Sequence, residues 1–178
     1  ALFQKKVAKI LAYSSIAHAG YMLLAFVAVK SAYASTSLLY IAIAYVFMQS
    51  ALFTLIGNLK ENASELSLED LKGLGEKDKI TALIFTVQLF SLAGVPLLAG
   101  FISKAVLVYA VVDADLPIVA LVTLLNSALS VAYYAWIVKH VYFDEASLDY
   151  ELKSLRFAPL MAQFILLGGT IYFGIFAF

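Results

Sequence analysis

ITALIFTVQLFSLAGVPLLAGFISKAVLVYAVV, from Ile80 to Val112, is an apolar stretch that is interrupted once, by Gly94-Val95-Pro96. As one α-helix it would be about 50 Å long, which is more than the ~30 Å hydrocarbon core of a bilayer requires. Proline lacks an amide hydrogen and disfavours helix in the residue before it, so the helix should break before Pro96. Gly94 and Gly100, on either side of Pro96, allow the backbone a wider range of conformations there.

We therefore predict two short helices, 80–94 and 97–113, that meet at an irregular turn. Short membrane segments interrupted by glycine and proline often lie at transport sites, because the backbone groups freed at the break need a cavity or another helix as their partner. A plain tight hairpin between two helices is the alternative interpretation.

The composition of the whole chain places it in a membrane. Of 178 residues, 63% are hydrophobic and 13% are charged, and the mean hydropathy is +0.94; a soluble domain is about half apolar and about a quarter charged. The formal net charge is zero, so nothing indicates a nucleic-acid partner. Cysteine is absent, which excludes disulfides, Cys-ligated zinc, iron–sulfur clusters and thiol catalysis within these residues.

Further apolar runs predict long helices, and each run approaches the ~20 residues that cross a bilayer. The predicted ranges are 7–29, 37–58, 117–143 and 156–178. With the short pair, they predict an all-α transmembrane fold, a bundle of about six membrane helices in a single membrane domain over residues 1–178. The first residue is Ala1 rather than Met, so we expect a fragment of a longer protein.

The polar loop 59–79 is rich in charged residues and contains leucines that predict a short amphipathic helix lying on the membrane surface. These leucines are Leu66, Leu68, Leu71 and Leu74. If six helices cross the membrane separately, one side carries Lys5, Lys6, Lys9, Lys60, Lys72, Lys77 and Lys79, and the other carries Lys30, Lys139, Lys153 and Arg156. The positive-inside rule then predicts that the first side is cytoplasmic.

Lys104 is the most informative single residue. It lies ten residues after Gly94 and nine before Asp113, so the helical rise places it about 13–15 Å from either end, near the middle of the bilayer. A charged lysine at that depth costs several kcal/mol against lipid and should face the bundle interior or water. Burial favours the neutral amine and a nearby carboxylate favours the ammonium, so a lysine balanced between them can load and release a proton. The alternative is a lysine that extends to the membrane surface.

His18 is the second candidate for proton transfer. It lies in the predicted first helix, where Ser14 and His18 are four residues apart and share a face, with Tyr21 on the next turn. Histidine titrates near neutral pH, which suits a proton relay. Contact between helices is the alternative use of such a polar face.

Weaker candidates for a polar path lie within the other apolar runs. Gln88 and Asn126 could hold interior water, although hydrogen bonds between helices are the commoner use of such side chains, as they are for Gln49 and Gln163. Asp113 precedes a turn and could be a proton exit group, although carboxylates in turns are usually solvated.

Two motifs resemble those of a known family. The run from Lys9 to Tyr21, KILAYSSIAHAGY, resembles the K-x-LAYSSIAH-x-GY signature of the antiporter-like membrane subunits of respiratory complex I. The run from Ser91 to Lys104, SLAGVPLLAGFISK, resembles their SLAGIP…GF-x-x-K signature. The chain is most similar to subunit N, because subunit M typically carries Glu where Lys104 stands and subunit L usually carries Gln where His18 stands.

The resemblance implies a fold and a place in it. Such subunits have about fourteen membrane helices that include two inverted five-helix repeats, and this chain would cover about helices nine to fourteen, half of the inverted-repeat fold. Lys104 would be the lysine of the broken helix in a hydrophilic axis. The partners would be the missing N-terminal half, the other membrane subunits of complex I, and the lipid of a bacterial plasma membrane or an energy-transducing organelle membrane. This chain would hold no cofactor, and NAD, FMN, iron–sulfur clusters and quinone would be bound elsewhere in the complex.

The function that follows is proton translocation within NADH:quinone oxidoreductase, with no redox active site in this chain. A subunit of a multisubunit cation/proton antiporter or of a membrane-bound hydrogenase is one alternative. A structural membrane bundle that transports nothing is another.

Overall fold

The computed structural model of the chain describes residues 1–60, 62–145, 152–153, 155 and 157–176. These residues form α-helices, two short 3-10 turns and one isolated bridge between Lys6 and Ser67. The α-helices are α1 Val7–Val27, α2 Ala34–Leu59, α3 Leu74–Lys77, α4 Lys79–Ala93, α5 Ala99–Asp113, α6 Pro117–Tyr142 and α7 Phe157–Ile175. Of these, α1, α2, α6 and α7 are each long and apolar enough to cross a membrane. Arg156, Ala177 and Phe178, which the predicted last helix included, lie outside the described residues.

The α4 and α5 helices together make one crossing of the membrane. At the end of the bundle that carries residues 62–78, here called the loop side, the Val7 amide of α1 donates to the Leu66 carbonyl at 2.9 Å. The α4 helix also begins there, with the Asp78 carboxylate accepting from the Thr81 amide at 3.1 Å. The α5 helix ends on the opposite side, where Asp113 accepts a hydrogen bond of 2.6 Å from the Ser31 hydroxyl just beyond α1. The chain therefore breaks inside the membrane and continues in the same direction.

The two half-helices fit into one crossing because their ends overlap. Gly100, the second residue of α5, lies against Ser91 in the last turn of α4, and its amide donates to the Ser91 hydroxyl at 3.2 Å. The irregular break is thus where the sequence predicts it, and the predicted bundle of about six membrane helices that includes a short pair is confirmed. Because the pair makes a single crossing, the assignment of charges to sides that assumed six separate crossings is wrong. The described residues make five crossings, one fewer than a span from helix nine to helix fourteen requires.

The five crossings change which charges share a side. Lys139, near the end of α6, and Lys153, whose amide donates to the Leu59 carbonyl at 3.0 Å, lie on the loop side rather than opposite it. The loop side therefore carries Lys5, Lys6, Lys9, Lys60, Lys72, Lys77, Lys79, Lys139 and Lys153, and among the described residues the opposite side carries Lys30. Arg156 lies outside the described residues. The larger charge difference strengthens the prediction that the loop side is cytoplasmic.

The core has two parts that meet at the break. One packs α4 against the loop-side halves of α1, α2 and α6, and the other packs α5 against their opposite halves. The large apolar side chains exposed on the outer faces, such as Ile16, Leu23 and Phe26, suit contact with lipid.

The leucines of the loop belong to the first part of this core. Leu66, Leu68, Leu71 and Leu74 are all at most 4% exposed. The predicted surface amphipathic helix is wrong: the segment forms two 3-10 turns and the single-turn α3, because its leucines face the bundle rather than the membrane surface.

Candidate functional site

The end of α4 supplies backbone carbonyls to the interior of the bundle. Gly94 adopts the left-handed conformation, with φ +93°, which glycine reaches without strain. Its amide donates to the carbonyls of Phe90 and Ser91, each at 3.0 Å. A helix end leaves its last four carbonyls without partners from the helix itself. Those of Leu92 and Ala93 therefore remain for another donor.

Lys104 is that donor. Its ammonium nitrogen Nζ lies 2.8 Å from the Leu92 carbonyl oxygen and 3.0 Å from that of Ala93. A third hydrogen bond of 3.0 Å reaches Oγ of Ser127 on α6. Lys104 is 7% exposed, so its charged group lies inside the bundle, and it does not extend to the membrane surface. The negative end of the α4 dipole stabilises a positive charge at this position.

The lysine has neutral partners. Among the described residues, no Asp or Glu forms a salt bridge with Lys104. Two carbonyls, one hydroxyl and the ring of Tyr21, whose centroid is 5.6 Å from Nζ, surround the charge. A fixed carboxylate would strongly favour the ammonium, whereas neutral dipoles balance only part of the desolvation cost of the charge.

His18 also contacts the ring of Tyr21. Its ring centroid is 5.6 Å from that of Tyr21 in an edge-to-face contact, and 5.2 Å from that of Tyr45 in a stacked one. Nδ1 lies 3.1 Å from the Ser14 carbonyl, which can only accept, so Nδ1 carries the hydrogen and Nε2 has a free lone pair. His18 is 2% exposed, and within the described part of the chain Nε2 has no hydrogen-bond partner. His18 and Lys104 are close enough to interact electrostatically.

The α6 helix contributes a polar stripe that the sequence analysis missed. Asn126, one of the predicted polar residues, donates from its amide to the Tyr21 hydroxyl at 3.0 Å, although Asn126 itself is exposed on the outer surface of the bundle. The residue beside it, Ser127, contacts Lys104. Thr123, Ser127, Ser130 and Tyr134 are spaced as one helical face. This spacing was visible in the sequence and could have identified the stripe.

The stripe meets the polar face of α1. Tyr134 and Ser14 share a hydrogen bond between their hydroxyl groups, on the loop side of His18. Ser130 and Thr123 donate to carbonyls of their own helix, those of Ser127 and Val119. Ser14, His18 and Tyr21 of α1 and Ser127 and Tyr134 of α6 therefore form, with Lys104, the group that we call the Lys104 site.

The other predicted polar residues lie apart from this group. Gln88 is fully buried, and its side-chain oxygen accepts a hydrogen bond of 3.0 Å from Thr170, joining α4 to α7. Asp113 lies at the exposed end of α5, bonded to Ser31. Pro96 lies in the break between α4 and α5. In the ranges that the structure describes, no group of three or more His, Cys, Asp or Glu could hold a metal ion.

Comparison with known proteins identifies the family that this sequence matches. A family model described as NADH:quinone oxidoreductase/Mrp antiporter, transmembrane, matches residues 1–130. The F(420)H(2) dehydrogenase subunit N of Methanosarcina mazei is 33% identical over 98% of this chain. The NADH-quinone oxidoreductase subunit N of Trichlorobacter lovleyi is 36% identical over 98% of it. The resemblance that the two motifs indicated is confirmed.

A solved structure extends the similarity to the fold. A chain in respiratory complex I from Thermus thermophilus with bound aureothin superposes with a TM-score of 0.81 at 30% identity, covering 99% of this chain and 39% of that one. The antiporter-like all-α membrane fold is therefore confirmed. The present chain spans 37% and 36% of the lengths of the two curated relatives named above.

Proposed function

The chain belongs to the NADH:quinone oxidoreductase/Mrp antiporter transmembrane family, and from that membership and the Lys104 site we propose that it is part of a proton-translocating membrane subunit of NADH:quinone oxidoreductase. The observation that carries the proposal is the position of Lys104. It is a buried lysine at a break in a membrane helix, and its described hydrogen-bond partners are all neutral. An ionisable residue in such a place marks an ion or proton pathway by default.

The site can change its proton content at low cost. The carbonyls of Leu92 and Ala93 accept hydrogen bonds from either the ammonium or the neutral amine, because each form has at least two N–H groups. Nε2 of His18, whose ring contacts that of Tyr21, offers a base that has no hydrogen-bond partner among the described residues. Redox energy released elsewhere in the complex would change the charge and hydration around Lys104, and so would drive it to load and then release a proton.

The proposal also implies the partners of the chain, the membrane in which it lies, the place of the cofactors and the orientation of the loop side. The partners would be the remaining part of this subunit and the other membrane subunits of the complex, in a bacterial plasma membrane or an energy-transducing organelle membrane. NAD, FMN, iron–sulfur clusters and quinone would be held by other subunits. The loop side, with its nine lysines among the described residues, would face the compartment that the positive-inside rule assigns to basic loops.

Cation/proton antiport is the second candidate, because the family description includes Mrp antiporters. The relatives named above are redox-complex subunits, which favours the first candidate. Proton movement that requires sodium, without a redox reaction, would favour antiport. A bundle with a purely structural role would retain full pumping when Lys104 is replaced.

The test is Lys104→Ala in the full-length subunit, within membranes that contain the whole complex. Assembly is measured first, and quinone reductase activity and proton uptake are then followed together. We expect an assembled complex in which pumping and coupled turnover fall sharply. Lys30→Ala is the matched control, because Lys30 is an exposed lysine on the opposite side. Pumping by Lys104→Ala at the level of this control would contradict the proposal.

A further inference from the structure

Of the hydrogen-bond partners that the described residues give Lys104, Ser127 is the one that can respond to the loss of its proton. A lysine ammonium has three N–H groups, and Nζ of Lys104 is within hydrogen-bond distance of three oxygens, the carbonyls of Leu92 and Ala93 and the Ser127 hydroxyl. The neutral amine has two N–H groups and a lone pair that needs a donor. Carbonyls cannot donate, so the hydroxyl of Ser127 is the group among these three that can satisfy the lone pair.

We propose that Ser127 is the proton-state partner of Lys104: its hydroxyl accepts a hydrogen bond from the ammonium and, after deprotonation, donates one to the amine. The inference rests on the proposed function and assigns a role within the same site. The proton leaves Lys104 for a neutral base, for which Nε2 of His18 is available, so that the positive charge moves to the imidazole. No bond to Ser127 forms or breaks, because only its O–H hydrogen rotates.

This role depends on the geometry around the hydroxyl. The α4 carbonyls hold Nζ from one side, and the ring of Tyr21, anchored through its hydroxyl by Asn126, lies on another. Lys104 can therefore change its protonation state without leaving its place. Without the hydroxyl, the amine would keep an unsatisfied lone pair and the ammonium an unsatisfied N–H, and each such buried group is costly.

The hydroxyl of Ser130 lies on the same face of α6 as that of Ser127 but has a different hydrogen-bond partner. Ser130 donates to the Ser127 carbonyl of its own helix at 2.6 Å, and a side-chain bond within a helix of this kind is a local feature of the backbone. Ser130→Ala therefore removes a hydroxyl from the same helix face without removing a described contact to Lys104. It is the matched control for changes at Ser127.

The experiment compares Ser127→Thr with Ser127→Val in the full-length subunit of the assembled complex. The two side chains have the same shape and differ in a hydroxyl and a methyl group. Assembly, the apparent KM for quinone, turnover and protons pumped per electron are measured for both, for Ser130→Ala and for Lys104→Ala. We expect Ser127→Thr to pump within about twofold of the wild type. Ser127→Val should lose about tenfold or more in coupled turnover, at an unchanged KM for quinone.

The outcomes separate this inference from the proposed function. Equal pumping by Ser127→Thr and Ser127→Val, with Lys104→Ala inactive, overturns the role of Ser127 and leaves Lys104 as the proton carrier. Normal pumping by Lys104→Ala overturns both. If neither larger variant is active, Ser127→Ala decides, because a strong loss relative to Ser130→Ala supports the role and wild-type pumping overturns it.

Discussion

Gly100→Ala should damage the protein more than any other change from glycine to alanine in a described helix, because of the overlap between α4 and α5. A Cβ atom at Gly100 would lie 1.7 Å from the Ser91 carbonyl oxygen and 2.6 Å from its carbon. Both atoms belong to backbone and cannot rotate away. To restore even a 3.0 Å contact, the two half-helices must separate by about 1.3 Å.

That separation would disrupt the Lys104 site. The bonds from Nζ of Lys104 to the Leu92 and Ala93 carbonyls, at 2.8 and 3.0 Å, join the same two half-helices and would be stretched beyond hydrogen-bond distance. Overpacking of a tight contact costs about 3 kcal/mol at the upper end of its usual range, which corresponds to a change of roughly 100-fold in an equilibrium constant. We expect lower thermal stability of the detergent-solubilised complex and loss of proton pumping by whatever fraction assembles.

The matched control is Gly57→Ala on α2. A Cβ atom there meets nothing within 4 Å, and alanine is the better helix former by up to about 1 kcal/mol. The control should therefore be neutral or slightly stabilising. If Gly100→Ala unfolds at the same temperature as Gly57→Ala and pumps equally well, the close overlap of α4 and α5 is refuted, and with it the placement of Lys104 at their junction.

Two further predictions concern the break and the loop. Gly94→Ala places a side chain at φ +93°, with its Cβ atom 3.3 Å from Cδ and Nζ of Lys104. The conformation alone costs about 1–2 kcal/mol, so this variant should unfold at a lower temperature than Gly57→Ala, and equal unfolding temperatures would contradict the reasoning. Burial raises the pKa of Asp70, but hydrogen bonds from Ser67 and Lys60 outweigh it and hold the pKa below its ordinary value of 3.8. The carboxylate therefore stabilises the loop above pH 3.8, and this stabilisation is lost as the pH falls through the lowered pKa. Limited proteolysis within residues 62–77 should accelerate in that acid range for the wild type and show less pH dependence for Asp70→Asn; identical pH profiles would contradict the assignment.

The sequence predicts those parts of the fold that depend on local chemistry. Pro96 and Gly94 mark the break because proline and glycine act on their own backbone, and the break lies there. The number of crossings depends instead on how α4 and α5 are arranged in space. They share one crossing because their ends overlap at Ser91 and Gly100. Leu66 and Leu74 likewise show the spacing of a surface helix, but both are buried: the 3-10 turn before Leu66 packs against α1 and α2, and α3, which begins at Leu74, packs against α4 and α6.

The candidate site likewise combines residues that the sequence predicts with contacts that it does not predict. Lys104 stands out because a charged residue in an apolar helix is costly, and His18 stands out by its chemistry. The partners of Lys104 could not be predicted, because two of them are backbone carbonyls, which every residue carries and which only the end of α4 makes available. Asn126 stands out in an apolar helix by its type, whereas Ser127, the residue that contacts Lys104, does not stand out because serine is common in membrane helices.

Proton pumping by Lys104→Arg tests most directly whether Lys104 carries the proton. Arginine keeps the positive charge and can donate to the Leu92 and Ala93 carbonyls, but it does not release its proton in proteins. In complexes that assemble to the wild-type level, we expect Lys104→Arg to reduce pumping to the level of Lys104→Ala. Pumping near the wild-type level by Lys104→Arg, with Lys104→Ala inactive, would show that the site needs only a fixed charge and would contradict proton transfer through Lys104.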